Sequence, residues 1–386
     1  MRELAPQPAD RFVDPDRLDR VRTALSESDL DGLVGLSPAN SYYLTGVYAG
    51  MYSRPVVGVV TDRTSAFGGP RLEARKAERT GWVDRAVVYE DADDPFDVLA
   101  GTIPDDADRI GYDQAYARPG WVDALDARLD ITFVDATETF LERRMVKTEW
   151  ELEMMLRRAD LAGAGIEAYT DAVAAGRPEL EVVDAIQDAF YETYLEHHPE
   201  YDIGTANELG QYGFASALSG GHALEPHSIS SAKPIADGET VVGIALPSLQ
   251  GYVCEEERTV LVGDVDADIV DAMETLVRVR RETMDLLEAG RGTDEVDEWT
   301  ASELRDAGYA ENIIHRTGHG EGITIHEGPA LNARESGQLE MGMVISVEPG
   351  LYFPDRDVAL RHSDTFIITD TGAERLTHTD DGVLTA

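Results

Sequence analysis

The stretch from His315 to Pro329, HRTGHGEGITIHEGP, contains the densest group of residues in this chain that could do chemistry. Three of the nine histidines lie within it, and four glycines separate or flank them. Imidazole changes its charge near neutral pH and is the commonest metal ligand, while glycine lets the backbone pass close to a site. The pattern predicts a loop leading into a strand, with His319 and His326 directed at a cleft.

Three further pieces carry candidate residues: His227 after Glu225-Pro226, the stretch GYVCEEERT at 251–259, and Glu348 at the end of an apolar strand. Side chains alternate between the two faces of a strand, so Glu255 and Glu257 should share one face. A partly buried carboxylate needs a compensating partner. The acidic run would equally fit a solvated edge of an acidic protein, and the candidacy of these residues depends on the other pieces.

The elements that would position these residues fall into two parts. Up to about residue 140, strands and helices alternate, which predicts an α/β domain on a mixed sheet. No glycine-rich nucleotide-binding motif follows any of these strands. The predicted strands are Gly32–Leu36, Val56–Val60, Ala86–Tyr89, Arg109–Tyr112 and Ile131–Val134, and predicted helices include Arg71–Arg79 and Trp121–Leu129.

The second part begins near Arg143–Lys147, which predicts domains at 1–143 and 144–386. Thr148 and Glu151 have the spacing of a capping box at the start of an amphipathic helix. Two successive sets of two helices followed by strands predict a pseudo-symmetric domain whose halves meet at the site. The predicted helices are about 148–169, Glu179–Leu195, 269–287 and Thr293–Ala307, and the predicted strands are Phe214–Leu218, Glu239–Leu246, Tyr252–Val262, Val344–Glu348 and Ala359–Thr369.

The charge of the chain is strongly acidic, with 75 acidic against 33 basic residues and a net charge of -42. Because 42% of the residues are hydrophobic, the composition indicates a folded, halophilic protein with a solvated acidic surface rather than a disordered chain. Such a charge argues against nucleic acids and anionic membranes as partners. Cys254 is the single cysteine, and no apolar signal or membrane segment is apparent, so a cytoplasmic location is expected.

In their order and spacing, these pieces resemble the pita-bread family, which includes Xaa-Pro aminopeptidases and dipeptidases, methionine aminopeptidases and creatinase. The motifs HRTGHGEG…HEGP and MVISVEPGLY look like the peptidase versions. The resemblance covers most of the chain. It implies an α/β N-terminal domain with a mixed sheet, followed by an α+β pita-bread catalytic domain with pseudo-twofold halves.

The resemblance also exposes departures from the metallopeptidase pattern D-x-G-x4-GY-x2-D-x-T-R-T, in which both aspartates bind metal. Aligned on the Gly-Tyr and Arg-Thr pairs, the first ligand falls on Ile244 and the second on Glu255. The next two fall on His319 and Glu348, and the last falls on Ser363. Isoleucine cannot bind a hard cation and serine is a poor substitute, which argues against a dinuclear centre. Three ligands remain that could hold one divalent Mn, Co, Fe or Zn ion.

A metal-free interpretation follows from similarity to the creatinase branch, whose corresponding strand ends in Glu-Arg-Thr. In that comparison Glu257 and Glu348 match the carboxylates that bind the cationic group of the substrate, and His227 matches the proton shuttle. Arg54 lies eight residues after Gly46, as the substrate-carboxylate arginine of creatinase does. That arginine reaches the site of the neighbouring subunit, so a homodimer is implied. A second creatinase arginine falls on Ala330, so creatine itself is not indicated.

The sequence therefore leaves three hypotheses. The leading one is a hydrolase that cleaves a C–N bond in a small, zwitterionic, amino-acid-derived substrate without a dinuclear centre, and most simply without a cofactor. Its predicted catalytic residues are His227, Glu257, Glu348, His319 and His326, and its predicted substrate-binding residues are Arg54, Tyr52 and Arg361. The second is an Xaa-Pro dipeptidase or aminopeptidase with one metal at Glu255, His319 and Glu348. The third is a non-catalytic binding protein on the same fold.

Overall fold

The computed structural model describes residues 2–48, 54–203 and 213–386. Contacts between Cα atoms divide the described residues into two compact units. The first contains 2–144, with the gap noted, and 148–151; the second contains 145–147, 152–203 and 213–386. Tyr52, one of the predicted substrate-binding residues, lies outside the described residues.

The first unit is built on a seven-stranded mixed sheet, as predicted. Its strands are β1 (Arg2–Leu4), β2 (Gly32–Gly35), β3 (Val57–Thr61), β4 (Ser65–Pro70), β5 (Arg85–Tyr89), β6 (Arg109–Tyr112) and β7 (Thr132–Asp135). Their order is β1-β5-β4-β3-β2-β6-β7, with parallel pairs β4–β5, β2–β6 and β6–β7. The helices of this region are α1 (Arg17–Ser26), α2 (Pro38–Thr45), α3 (Ala74–Thr80), α4 (Pro95–Ala100), α5 (Trp121–Asp126) and α6 (Thr137–Met145).

Strand β4 was not predicted, because its sequence SAFGGP lacks the alternation of a half-buried strand. Its glycines are explained by close packing. A Cβ atom at Gly68 would lie 2.6 Å from the side chain of Leu99. The bulk that fills this part of the core comes from the neighbouring elements rather than from the strand itself.

The predicted capping box at the start of α7 (Glu149–Ala172) is confirmed. The backbone N–H of Thr148 donates to Glu151 Oε2 at 2.9 Å, and the N–H of Glu151 donates to Thr148 Oγ1 at 3.1 Å. The two side chains thus satisfy each other's backbone donors at a helix start.

The second unit contains two successive sets of paired helices and strands, which agrees with the predicted pita-bread halves. Helices α7 and α8 (Glu179–His197) precede β8 (Gly213–Ser219), β9 (Thr240–Leu249), β10 (Tyr252–Val253) and β11 (Glu256–Leu261). Helices α9 (Ala267–Met284) and α10 (Thr293–Asp306) precede β12 (Gly318–Gly320), β13 (Glu327–Leu331), β14 (Val344–Val347), β15 (Gly350–Phe353), β16 (Val358–Arg361), β17 (Asp364–Thr369), β18 (Gly372–Arg375) and β19 (Leu384–Thr385).

The strands of the second unit form sheets that bring the candidate residues onto neighbouring strands. One sheet has the order β10-β9-β11-β19, with β8 pairing β9. A second has the order β13-β12-β14-β17-β18, and β15 pairs β16 separately. Helices α7 and α8 bury Tyr169, Ile186 and Phe190 against Val241 and Val260 of the first sheet. Buried apolar contacts of this kind are the main favourable contribution to folding.

The structure splits one predicted strand, Tyr252–Val262, into β10 and β11. Between them, the side chain of Arg158 donates from Nη1 to the carbonyl of Cys254 at 2.6 Å. The N–H of Glu255 donates to Glu321 Oε1 at 2.8 Å. Side chains therefore take over backbone groups that a continuous strand would have paired, and Glu255 is fixed at this interruption.

Among the described residues, none of the helices has the length and apolar character needed to cross a membrane.

Candidate active site

Three side chains from separate strands or strand ends of the second unit converge: Glu255, His319 and Glu348. Each offers one ligand atom, and these atoms all lie within 4.8 Å of one another. Nε2 of His319 is 3.2 Å from Glu348 Oε1 and 3.5 Å from Glu255 Oε1. The sequence predicted this group as the single-metal site, and the structure brings its three members together.

The electrostatics of this triad show that two carboxylates share one cationic neighbour. Burial lowers the pKa of His319, but the carboxylates of Glu255 and Glu348 outweigh that effect and raise it well above its ordinary value. Burial would raise the pKa of Glu348, but contact with His319 lowers it to about 2. Facing carboxylates stay ionised only with a positive charge between them. A proton on His319 or a metal ion can supply that charge.

Neighbouring groups hold the triad in place. Ser346 Oγ donates to Glu255 Oε1 at 2.9 Å. His319 Nδ1 lies 3.1 Å from the carbonyl of Gly320. A proton on Nδ1 that donates to this carbonyl leaves Nε2 free to accept a metal, and such outer contacts commonly orient metal-binding histidines. Glu321, on the same strand segment, is fully buried and accepts a hydrogen bond from Thr365 Oγ1 at 2.8 Å.

These residues could hold one divalent ion. Nε2 of His319 is a buried nitrogen whose neighbours are the two carboxylate oxygens at 3.2 and 3.5 Å. One imidazole nitrogen and two carboxylate oxygens match the ligands that Mn, Fe, Co and Zn accept. The positions that would complete a dinuclear site hold Ile244 and Ser363.

Glu257 and Arg361 form a buried ion pair beside the triad. Arg361 Nη2 donates to Glu257 Oε1 at 2.6 Å, and Nε lies 2.5 Å from Oε2. Burial lowers the pKa of Arg361, but Glu257 and the other acidic groups nearby together raise it above its ordinary value, so the guanidinium keeps its charge. Burial also raises the pKa of Glu257, and Arg361 opposes that rise. The sequence predicted both residues as contacts to substrate, whereas here each is the main partner of the other.

A chain of contacts continues from this pair to His315. Arg361 Nη1 lies 3.3 Å from the hydroxyl of Tyr352, and that hydroxyl lies 3.0 Å from His315 Nε2. Burial lowers the pKa of His315. His315 therefore holds the wall of the site in place through Tyr352, and it lies outside the metal-ligand group.

The other two predicted histidines extend in a row from the triad. The ring of His326 lies 4.5 Å from that of His319, and the ring of His227 lies 6.5 Å from that of His326, measured between centroids. Both His326 and His227 are exposed. His227 lies in a turn after a short 3-10 helix, Gly220–Leu224. They are therefore placed to exchange protons with solvent and with a bound substrate.

One cavity of about 700 Å³ is lined by Glu255, Glu257, Glu348, Arg361, Arg316 and by His227, His315 and His326. Its apolar lining was not predicted from the sequence. It consists of Phe214, Ile244, Leu246, Ile314 and Ile325.

Several supporting residues were also missed, namely Glu321, Ser346, Tyr352 and Thr365. Glu321 lies within the motif HGEG, and Ser346 and Tyr352 lie within the motif MVISVEPGLY, whereas Thr365 lies in neither. Arg54 lies in the first unit, where its guanidinium pairs with Asp91. Both side chains of that pair are well exposed, and the proposed role of Arg54 stays a prediction.

Comparisons with known proteins agree with the fold and show the family. Residues 153–370 match the model of metallopeptidase family M24, and residues 17–146 match that of the creatinase/prolidase N-terminal domain. The probable dipeptidase PepE of Mycobacterium tuberculosis is 30% identical over 363 residues, covering 92% of each chain. The Xaa-Pro dipeptidase of Pyrococcus furiosus is 26% identical over 370 residues, covering 95% of this chain and 98% of the relative.

Solved structures show the same fold. The X-Pro aminopeptidase of Thermotoga maritima superposes with a TM-score of 0.83 at 20% identity, covering 96% of this chain and 99% of that one. The dipeptidase PepE of Mycobacterium ulcerans superposes with a TM-score of 0.81 at 26% identity, covering 98% of this chain and 99% of that one.

These findings bear differently on the three hypotheses. The predicted pita-bread family and the predicted hydrolase of C–N bonds are confirmed. The prediction that no cofactor is needed is not supported, because the matched family is one of metallopeptidases and the triad offers metal ligands. The single-metal alternative is the one that these findings favour. The chain belongs to metallopeptidase family M24.

Proposed function

We propose that this protein is a metal-dependent dipeptidase that binds one divalent ion at Glu255, His319 and Glu348. The observation that carries the proposal is the convergence of these three ligand atoms within 4.8 Å of one another, with Glu255 and Glu348 lining a cavity. An ion held there would polarise the carbonyl oxygen of a substrate and make a water molecule more acidic. The substrates to test first are Xaa-Pro dipeptides, because related proteins bear the name Xaa-Pro dipeptidase.

The metal-free alternative is less favoured because of the partner of Glu257. In the creatinase-like interpretation, Glu257 and Glu348 bind a cationic group of the substrate. Glu257 already has a buried guanidinium against it, with Arg361 at 2.5 and 2.6 Å. A second cation there would have to displace Arg361, and leaving a buried charge unpaired costs about 3–5 kcal/mol.

Proton transfer during hydrolysis is assigned to His227 and His326. Water adds its oxygen to the carbonyl carbon, the C–N bond breaks, and the leaving nitrogen must gain a proton. A positioned imidazole can supply that proton and contributes about 10²–10⁴-fold to the rate. His227 lines the cavity in an exposed turn, where it can recover its proton from solvent between turnovers.

The apolar side of the cavity accounts for binding of the substrate's side chain or prolyl ring. Phe214, Leu246 and Ile325 line the cavity and belong to one apolar cluster. Burial of apolar surface contributes roughly 25 cal/mol per Å², so this wall favours residues such as proline, leucine or phenylalanine. The acidic side leaves room for a small zwitterion whose amino group faces carboxylates.

The experiment is hydrolysis of Ala-Pro, Ala-Leu and Ala-Phe by protein purified in concentrated KCl. After removal of metal with a chelator, we expect no activity, and we expect Mn²⁺ or Co²⁺ to restore it. The variant His319→Ala should bind no metal and stay inactive, whereas Glu340→Gln, on an exposed residue away from the site, should behave as the wild type. Full activity without metal toward guanidino acids but not dipeptides would reject the proposal.

We also propose a homodimer in which Arg54 completes the site of the neighbouring subunit, as the creatinase resemblance implies. The test is to purify the Arg54→Ala and His227→Ala variants separately, each expected to be inactive by itself, and then to let their subunits mix. If Arg54 acts across subunits, random hybrids recover about a quarter of the wild-type activity, because half of the dimers are hybrid and each has one intact site. Recovery of no activity would contradict an arrangement in which the two residues come from different subunits.

A further inference from the structure

The ion pair of Glu257 and Arg361 lies where two lost ligands of the family pattern would have met. In the register of the sheet, Glu257 on β11 stands directly opposite Ile244 on β9. On its other side it forms a β-bridge with Ser363, with backbone hydrogen bonds of 3.1 and 3.4 Å. Thus the residues that replace the first and last ligands of the pattern flank Glu257 on both sides. The metallopeptidase pattern has a threonine at the position of Glu257, so this carboxylate departs from the dinuclear branch and resembles the creatinase branch.

The charges of the site balance if one divalent ion is bound. Glu255 and Glu348 carry two negative charges and one ion would neutralise them, with His319 as a neutral ligand. The remaining carboxylate, Glu257, is neutralised by Arg361, and all four charged side chains line the same cavity. A second divalent ion at this place would lie within a few ångströms of a guanidinium, and like charges at such distances repel strongly in a buried setting.

The guanidinium of Arg361 is held in one position, as a group that takes the place of a metal ion must be. The side chains of Arg361 and Glu257 are only 7% and 2% exposed. Tyr352 holds Arg361 from another direction through its hydroxyl at 3.3 Å. A guanidinium has five N–H groups in a rigid plane, and the contacts with Glu257 and Tyr352 leave others that can face the cavity.

We propose that Glu257 and Arg361 replace the second metal of the family: the pair occupies its position, excludes it, and makes Arg361 the second fixed cation of the site. This inference rests on the proposed function, because it presupposes an ion at Glu255, His319 and Glu348. Arg361 is then a positioning residue that orients the anionic end or the carbonyl oxygen of the substrate beside the bound ion.

The experiment measures how many Mn²⁺ ions each variant binds. Wild-type protein should bind one, with the electron paramagnetic resonance spectrum of an isolated ion. The double variant Ile244→Asp with Ser363→Glu restores both ligands but keeps the pair, so it should still bind one. Adding Glu257→Thr to that variant removes the carboxylate that holds the guanidinium of Arg361 at this position, so Arg361 can move away. This variant should therefore allow a second ion and produce the spectrum of two coupled ions. Circular dichroism and the melting temperature serve as controls for folding.

Two outcomes would overturn the inference while leaving the proposed function intact: two ions in the double variant, or one ion in the triple variant. If wild-type protein binds no Mn²⁺, the proposed function fails and the pair has no metal to replace. A single substitution covers the case in which the multiple variants do not fold. Arg361→Met removes the cation and leaves Glu257 unneutralised, so Mn²⁺ should bind at least about tenfold more tightly. Unchanged or weaker Mn²⁺ binding by this variant would also overturn the inference.

Discussion

His227 and the metal ligands have separable roles at the level of single residues. His227 lies in an exposed turn, 6.5 Å between ring centroids from His326, and outside the ligand group. We expect His227→Ala to reduce kcat for Ala-Pro by about 10²–10³-fold while metal content stays unchanged, since it removes a proton donor and no ligand. The matched control is His378→Ala, which alters another exposed histidine. A loss of bound metal in His227→Ala would contradict this assignment.

Glu321 supports the site through hydrogen bonds that a glutamine can reproduce. Its Oε1 accepts from the N–H of Glu255, and its Oε2 accepts from Thr365 Oγ1. In Glu321→Gln, the amide group can donate to Thr365, whose hydroxyl can still donate to the carbonyl of Glu255, 2.9 Å away. We expect Mn²⁺ affinity to stay within about threefold in this variant and to fall about 10–100-fold in Glu321→Ala, as measured by calorimetry. Equal losses in both variants would show that the charge of Glu321 matters instead.

The beginning of helix α8 is tied to the sheet by one buried carboxylate, Glu179. Its two oxygens accept hydrogen bonds from the backbone and hydroxyl groups of Ser219 and Ser231, and His222 Nδ1 lies 2.9 Å away. Burial would raise the pKa of Glu179, but these hydrogen bonds lower it. The contact between α8, β8 and the segment before β9 therefore depends on an ionised carboxylate.

This arrangement predicts a pH-dependent difference in stability. Because the folded pKa of Glu179 is lowered, its contribution is fully present above the ordinary pKa of a glutamate and is lost as the pH falls through the folded value. At pH 7 we expect Glu179→Gln to lower the free energy of unfolding by about 2–3 kcal/mol, since buried donors lose an acceptor. The difference from wild type should shrink below about pH 4.5. Chemical denaturation across this range tests it, with the exposed Glu181→Gln as control.

Sequence patterns were sufficient to predict most helices and strands, because the contacts that form them join residues close to one another in the sequence. The capping box of Thr148 and Glu151 is made by residues three apart, and strand β6 was predicted with its observed bounds, Arg109–Tyr112. Strand β4 was not predicted from its sequence, because the bulk that buries it comes from neighbours such as Leu99 rather than from its own side chains.

The candidate site was predicted in part for a related reason. The motifs identified Glu255, His319 and Glu348 one by one, and the resemblance grouped them. The pairing of Glu257 with Arg361 was missed because these residues are 104 positions apart. Their contact depends on the bridge between Glu257 and Ser363, which brings the end of β16 beside β11. No local pattern in the sequence contains that register.

At the scale of the whole molecule, the net charge of -42 governs stability. The Debye length is about 30 Å at 0.01 M salt and about 3 Å at 1 M, so dilute salt leaves the acidic surface repelling itself. We expect the melting temperature to rise steadily as KCl increases from 0.1 to about 3 M, while sucrose, which does not screen charge, has a smaller effect.

A matched variant separates screening from other effects of salt. It replaces four exposed acidic residues with lysine: Asp105, Asp126, Asp171 and Glu192. Each replacement removes one negative charge and adds one positive charge, so the melting temperature of this variant should depend less on KCl than that of the wild type. Identical salt dependence in both proteins would show that charge repulsion is not the cause.

The opposed positions of Ile244 and Glu257 on β9 and β11 also constrain the history of this site. A chain with threonine at 257 and isoleucine at 244 would bury the guanidinium of Arg361 without the carboxylate that contacts it here, a loss of about 3–5 kcal/mol. That is a large share of the stability of an ordinary domain. If an ancestor had aspartate at 244, the glutamate at 257 had to arise before that aspartate was lost. Lineages that kept both carboxylates for a time would be the intermediates, and reconstructed ancestral proteins should contain them.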